Sequence, residues 1–276
     1  MGPLLALGSA LSFGLSDFTG GLAARRASAL TVTLVAQVAG LLVLVPALVL
    51  WPGRASWQAL GLGALAGGLG CVGLVLYLRC MALGPMGLIS PLAALVGAAV
   101  PVGWGVVLAG EVLTTADVVG VLTGLVAVVL VAYRPGTSLR EAGTRGPLMA
   151  AVAGVSFGLF FVLLDATPTD SGLWPLLGSR LAGGGVLLAI LALRPRPWPT
   201  ERGRTLAATS GLTDQLANVL FLLATRAGLL SLASLLTSLY PVVVVVLARQ
   251  LLHERLTRLQ STGVALALLA TALIVV

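Results

Sequence analysis

Ionisable side chains inside long apolar stretches are the residues of this chain whose types could do chemistry. Asp17, Arg180 and Asp214 each lie within a run of mainly apolar residues. An ionisable group at the centre of a lipid bilayer costs about 2.5–3.5 kcal/mol on insertion scales, so it marks a functional position by default. We therefore expect these three residues to face a shared internal cavity rather than lipid.

Polar amides accompany these charges in the same kind of stretch. Gln37, Gln215 and Asn218 lie in the same mainly apolar stretches, and Asp214 and Asn218 are four residues apart, which places them on one helix face. Tyr240 lies beside Pro241 in a later apolar run. The residues that we expect to bind a substrate are Asp17, Gln37, Arg180, Asp214, Asn218 and Tyr240.

Two kinds of chemistry suit the aspartates. One carboxylate could bind a substrate ammonium, and one could exchange a proton, because burial favours the protonated form of a carboxyl group. The alternative is structural: Arg180 pairs with one of the aspartates, which makes insertion of both charges tolerable.

Prolines inside apolar stretches are candidate gating positions. Pro91, Pro101 and Pro241 each remove a backbone hydrogen bond, so they are expected to break or kink a helix. The functional interpretation is a gate beside the substrate, and the alternative is a static kink that helps the helices pack.

Several classes of function are excluded by composition. The chain has no Lys, which a P-loop or a Schiff base requires, and one His with two Cys cannot furnish an ordinary zinc or iron–sulfur site. The net charge is +7, but the arginines stand singly between apolar runs, which is not the pattern of a nucleic-acid surface. We expect no cofactor, no metal, no nucleic-acid partner and no enzymatic activity.

The elements that must position these residues are membrane-spanning helices. The chain is 58% hydrophobic and 9% charged, and a membrane helix needs about 20 mainly apolar residues. Bilayer lipid leaves no partner for free backbone groups, so all-α structure follows. The predicted spans are 3–22, 30–51, 57–81, 87–109, 115–133, 147–164, 173–193, 205–225, 229–252 and 259–276.

The sequence repeats itself on either side of a polar segment at 134–145. GPLLALGSALSFGL begins at Gly2 and GPLMAAVAGVSFGL begins at Gly146, an offset of 144 residues. We expect two repeats, 1–138 and 139–276, of five spans each. An odd number of spans makes the second repeat enter the membrane upside down, which is the inverted repeat of many secondary transporters. Glu111 and Glu254, at matching positions, are expected to cap the helices that follow them.

Arginine distribution indicates an orientation in the membrane. Thirteen of the sixteen Arg lie in or beside the loops after odd-numbered spans, and two, Arg54 and Arg226, lie after even-numbered spans. Positive charge favours the cytoplasmic side, so this pattern places both termini outside.

The end of each repeat resembles the EamA-type units of the drug/metabolite transporter superfamily. In the second repeat the corresponding residues are Pro241, Glu254, Arg255, Gln260 and Gly263, and His253 stands where the family pattern has Gly. In the first repeat they are Pro101, Gly110, Glu111, Asp117 and Gly120. The resemblance implies ten helices around a central cavity and, in contrast to the arginine count, cytoplasmic termini.

These observations together predict a gradient-driven transporter in the cell (plasma) membrane. The expected function is export of small metabolites, such as amino acids or related amphipathic compounds, by alternating access. Protons are the expected coupling ion, and the protein is expected to be surrounded by membrane lipid. One chain holds both repeats, so a monomer suffices. The alternatives are a translocator of lipids or lipid-linked sugars, with Arg180 on an anionic headgroup, and an intramembrane enzyme using Asp17 and Asp214 as a pair.

Overall fold

A computed structural model describes residues 1–83, 86–132, 145–252 and 257–275. The polar segment between the repeats and the tripeptide His253-Glu254-Arg255 fall almost entirely outside these residues. Within the described part the structure is helical and has no strand, which confirms the predicted all-α class.

The helices of the described residues follow the predicted spans closely. In chain order they are α1 Gly2–Ala24, α2 Ala29–Leu50, α3 Trp57–Leu83, α4 Met86–Gly103, α5 Thr115–Ala132, α6 Arg145–Asp165, α7 Trp174–Leu193, α8 Glu201–Arg226, α9 Leu230–Thr237, α10 Tyr240–Leu252 and α11 Arg258–Val275. A π-helical turn, Trp104–Leu108, follows α4, and a 3-10 turn, Thr169–Ser171, precedes α7.

Among the described residues, six segments are long and apolar enough to cross a membrane. They are Ala29–Leu50, Trp57–Tyr77, Leu148–Asp165, Trp174–Leu193, Glu201–Arg226 and Leu230–Leu251. Three shorter apolar helices accompany them, at Ala93–Leu108, Thr115–Val131 and Arg258–Ile274. Many large apolar side chains, such as those of Leu42, Leu181 and Leu268, are exposed on the outer surface, as lipid contact requires.

The predicted effect of the prolines is corrected in two ways. Helix α4 runs without interruption through Pro91 and Pro101, so neither residue breaks it. The ninth predicted span, in contrast, is two helices, α9 and α10, separated at Ser238 and Leu239. Pro241 is the second residue of α10, a position where a backbone N–H has no acceptor within the helix, so the N–H that proline lacks is not missed. It therefore begins a helix rather than kinking one.

The repeated turn before α5 and α11 is explained by a reciprocal cap. The Asp117 backbone N–H donates to Thr114 Oγ1 (3.2 Å), and the Thr114 backbone N–H donates to Asp117 Oδ2 (2.9 Å). Thr257 and Gln260 repeat both bonds at the start of α11, at 3.2 and 3.0 Å. This is a capping box, which satisfies two backbone donors that a helix start leaves open.

Glu111 has a different partner from the one predicted. It does not cap α5, the helix that follows; instead its carboxylate accepts the backbone N–H groups of Leu230 (2.7 Å) and Ser231 (3.1 Å). Those groups form the N-terminus of α9, in the other half of the chain. A carboxylate there is favoured by the helix dipole, so Glu111 joins the two halves. Glu254 lies outside the described residues.

The two halves pack against each other by reciprocal contacts. Helix α1 packs on α8 and α10, and the corresponding helix α6 packs on α3 and α4. Helix α2 packs on α8 just as α7 packs on α3, and α5 packs on α11. Exchanging each helix for its counterpart in the other half thus reproduces these main contacts.

Paired glycines make these close approaches possible. A Cβ at Gly67 would lie 2.6 Å from the carbonyl carbon of Ser179, and a Cβ at the repeat-equivalent Gly211 would lie 2.6 Å from that of Ala36. Both glycines let one helix backbone contact another without an intervening side chain, as small residues commonly do in membranes.

Replacing Gly67 by alanine is expected to lower the free energy of unfolding by about 1–3 kcal/mol, because the added methyl group overlaps the backbone of α7. The neighbouring Gly68 has no heavy atom within 4 Å of its Cβ position. Gly68→Ala should therefore be neutral or stabilising by up to about 1 kcal/mol. Thermal unfolding of both purified variants in one detergent measures the contrast; equal stabilities would contradict the close-packing role.

Candidate functional site

A cavity of about 110 Å³ lies among helices of both halves. A buried water needs about 10–15 Å³ of such volume, so this space can hold several waters or a small metabolite. Its lining includes all six residues expected to bind substrate: Asp17, Gln37, Arg180, Asp214, Asn218 and Tyr240. The rest of its polar lining includes Tyr77, Ser179, Gln215 and Ser238.

Arg180, near the start of α7, is held by polar groups from two other helices. Its Nε donates to Gln215 Oε1, one terminal nitrogen donates to Gln37 Oε1 (2.6 Å), and the other donates to Asp214 Oδ2. The guanidinium lies over Gly40, where a Cβ would be 2.9 Å from its central carbon. Gly40 therefore provides the room in which Arg180 crosses to these partners.

The ion pair between Arg180 and Asp214 corresponds to the structural alternative for Arg180. The Arg180 side chain is 7% exposed and that of Asp214 is 26% exposed. A guanidinium removed from solvent is tolerable only when its charge is matched and its donors are occupied. Each of its three nitrogens has a partner, so the positive charge is largely neutralised within the protein.

Two amide atoms in this group have no hydrogen-bond partner in the described part of the chain. Gln215 uses Oε1 for Arg180, which leaves Nε2 unpaired, and Asn218 donates Nδ2 to the backbone oxygen of Asp214 (2.8 Å), which leaves Oδ1 unpaired. Unpaired buried polar atoms are rare and costly. One buried donor and one buried acceptor beside the ion pair thus have no partner among the described residues.

Asp17 lies in a separate polar group with two tyrosines. Tyr77 of α3 donates its hydroxyl to Asp17 Oδ2 at 3.3 Å. Tyr240, at the start of α10, interacts with both Tyr77 and Asp17. Asp17 and Asp214 both line the same cavity. Both aspartates therefore belong to one electrostatic site.

The charges that line the described cavity do not balance. They are Asp17, Asp214 and Arg180. The pair of Arg180 with Asp214 cancels, and Asp17 is left with hydroxyl partners but no ion pair among the described contacts. With both aspartates ionised, the described cavity wall carries one net negative charge.

Aromatic rings form much of the remaining wall. The ring centroid of Phe13 is 6.1 Å from that of Phe161 and 6.4 Å from that of Tyr240. Tyr77 packs edge-on against Phe157, with centroids 5.9 Å apart. These separations are typical of favourable aromatic pairs. The resulting surface is apolar and rigid, and Asp17 lies at its margin.

The repeat places different chemistry at equivalent positions of the cavity. Phe161 corresponds to Asp17 by the offset of 144, and Gly70 corresponds to Asp214. All four residues line the cavity. The scaffold is thus shared by the two halves, whereas the charged groups occupy only one of each pair of positions.

Sequence reasoning missed several lining residues. Tyr77 was not singled out, although it donates to Asp17, and neither were Phe13, Phe157 and Phe160. Their signal was weak because aromatic residues in apolar runs are ordinary in membrane helices. Pro101 and Pro241 do not line the cavity within the described part of the chain, and the side chain of Pro91 is not described.

Comparison with known proteins gives one family and one fold. Residues 144–276 match the model of the EamA-like transporter family, which confirms the resemblance predicted from the sequence. A solved crystal structure matches with a TM-score of 0.76 and 20% identity over 98% of this chain and 98% of its own length. That likeness shows a shared fold. No curated protein matches the sequence significantly.

Proposed function

We propose that this protein is a multi-pass membrane transporter and a gradient-driven exporter of small amphipathic metabolites, such as amino acids or related compounds. The match of residues 144–276 to the EamA-like transporter family supports this proposal. The observation that carries the proposal is the cavity itself. All six polar residues expected to bind substrate line one space between the two halves. Placing polar groups within a membrane costs free energy, so we expect these residues to bind a polar ligand.

The architecture we propose is ten spans in two inverted repeats, 1–138 and 139–276. The reciprocal packing of the helices supports it, because an exchange of halves reproduces the main contacts. The paired glycines support it too, since Gly67 and Gly211 make the same approach in opposite halves. Alternating access would follow from rocking of the two repeats around the cavity.

Gating is proposed at the break between α9 and α10. Ser238 lies in this break, Tyr240 directly follows it, and both line the cavity. A helix interruption lets two segments move separately, and Pro241 fixes where the second segment begins. Pro91 and Pro101 lie in an uninterrupted helix, so a gating role is weaker for them.

Proton coupling is assigned to Asp17 rather than to Asp214. Asp214 is paired with Arg180 and accepts a hydrogen bond from Asn218 at 3.2 Å, so its carboxylate already has partners. Asp17 lacks such a partner among the described contacts, and Tyr77 can serve either form, because its hydroxyl both donates and accepts.

The other candidate functions have less support. A translocator of anionic lipid headgroups would need Arg180 available, but its nitrogens are engaged and its charge is paired. An aspartyl enzyme would need both carboxyl groups to share a proton, and Asp214 is committed to Arg180. The translocator remains an outcome of the test below.

The proposal is tested by thermal-shift screening of the purified protein at two pH values, followed by transport of any hit in proteoliposomes. The panel contains amino acids, nucleosides, organic cations and lipid headgroups. A ligand at 100 times its Kd should stabilise the protein by about 2.7 kcal/mol. Stabilisation by anionic headgroups alone would support the translocator, and the absence of transport for every hit would overturn the proposal.

A matched pair of glutamine variants controls the transport assay. Gln37 lines the cavity and contacts Arg180, whereas Gln58 is exposed at the start of α3. We expect Gln37→Leu to reduce transport and Gln58→Leu to leave it unchanged. If both variants transport equally well, the cavity is not the transport site.

A further inference from the structure

We infer that the cavity selects organic cations: small amines with an apolar or aromatic body and without a carboxylate. This inference rests on the proposed transport function and narrows its substrate class. It predicts that amines bind in preference to amino acids, whereas the proposed function includes both as substrates.

The first argument is the charge balance of the cavity wall. Arg180 is the only cationic residue that lines the cavity in the described part of the chain, and it is paired with Asp214. A substrate carboxylate would have to displace Asp214 or enter without a counterion. It would also approach Asp17, and like charges brought together in a site of low polarity repel strongly.

The second argument is the set of groups around Asp17. Phe13 precedes it by four residues on α1, so their side chains share a helix face. Tyr240 lies 6.4 Å from Phe13, measured between ring centroids, and interacts with Asp17. A carboxylate beside aromatic faces suits an ammonium, which gains an ion pair on one side and cation–π contact on the other.

The third argument is the apolar surface beyond this point. Phe157, Phe160 and Phe161 all line the cavity, and the rings of Phe160 and Phe161 are 5.6 Å apart. An aromatic or branched apolar body can pack on these rings while its ammonium remains at Asp17. Asn218 also lines the cavity and places a polar side chain beside this apolar surface.

The test compares 2-phenylethylamine with phenylalanine, which carries an additional carboxylate. Binding to the purified protein and uptake into proteoliposomes are measured for both. We expect the amine to bind about tenfold more tightly or better, because the carboxylate of the amino acid meets no free cation. Phenylalanine bound equally well or better would overturn the substrate class and leave transport standing.

Variants of Asp17 test whether this residue causes the preference for the amine. Asp17→Asn should remove the preference for the amine, whereas Asp17→Glu keeps the charge and should retain it. Asp170→Asn is the control, because Asp170 is an exposed carboxylate in the turn before α7 and does not line the cavity. If Asp17→Asn still prefers the amine, then Asp17 is not the residue that recognises the ammonium, and this assignment is overturned although the amine preference stands.

Failure of this inference and failure of the proposed function give different results. If neither compound binds but the wider panel yields a transported metabolite, the substrate class is wrong and the transporter proposal stands. If no compound of that panel is transported, both are wrong.

Discussion

Replacing Arg180 by glutamine is expected to destabilise this protein by about 3–5 kcal/mol, among the largest effects of any single substitution. The change leaves Asp214 without its counterion and removes the donors to Gln37 and Gln215. An uncompensated carboxylate inside the bundle then costs more than the lost attraction alone. Thermal unfolding in detergent measures the loss, with Arg202→Gln as the control because Arg202 is exposed on α8.

A double-mutant cycle separates the ion pair from general disruption. Asp214→Asn alone should cost less, because arginine keeps its glutamine partners, and adding it to Arg180→Gln should recover part of the stability. If the double variant is as unstable as the sum of the two single variants, the pair does not hold these helices together as the geometry indicates.

Replacing Asp17 by asparagine is expected to abolish proton coupling. Asp17 is the carboxylate of the cavity without an ion pair among the described contacts, and we expect it to hold either a proton or a cationic substrate. Protonation removes its charge, so substrate binding should weaken as the pH falls. A substrate added in weak buffer, at a pH where Asp17 is protonated, should release about one proton per bound molecule. Asp17→Asn should release none.

The comparison variant for this measurement is Asp214→Asn. Asp214 is paired with Arg180, so its removal should leave proton release at Asp17 in place. A pH-sensitive dye in solution with the purified protein reports the proton release of both variants. Proton release that persists in Asp17→Asn and disappears in Asp214→Asn would reverse the two assignments.

The sequence by itself determined that the chain lies in lipid, that it is all-helical, where most of its helices lie and which polar residues form a group. This was possible because lipid allows few backbone structures, and each charge in an apolar run is costly enough to be informative. Asp17, Gln37, Arg180, Asp214, Asn218 and Tyr240 were selected on that ground, and all of them line one cavity. The family of residues 144–276 was also recognisable from their pattern.

Only the tertiary structure decided which partner each polar group has. The pairing of Arg180 with Asp214, rather than Asp17, depends on how α7 and α8 both pack on α2, where Gly40 makes room for the guanidinium. Glu111 caps a helix 119 residues away because the two halves interlock, whereas local reasoning assigned it to the next helix.

The break between α9 and α10 was likewise settled only in three dimensions. Pro91 and Pro101 are accommodated within α4, but the chain before Pro241 leaves the helix. A proline costs a helix one backbone bond, and the surroundings decide whether that cost ends the helix. Composition and periodicity report on each helix alone, whereas partners, caps and charge balance arise from contacts between helices that are distant in sequence.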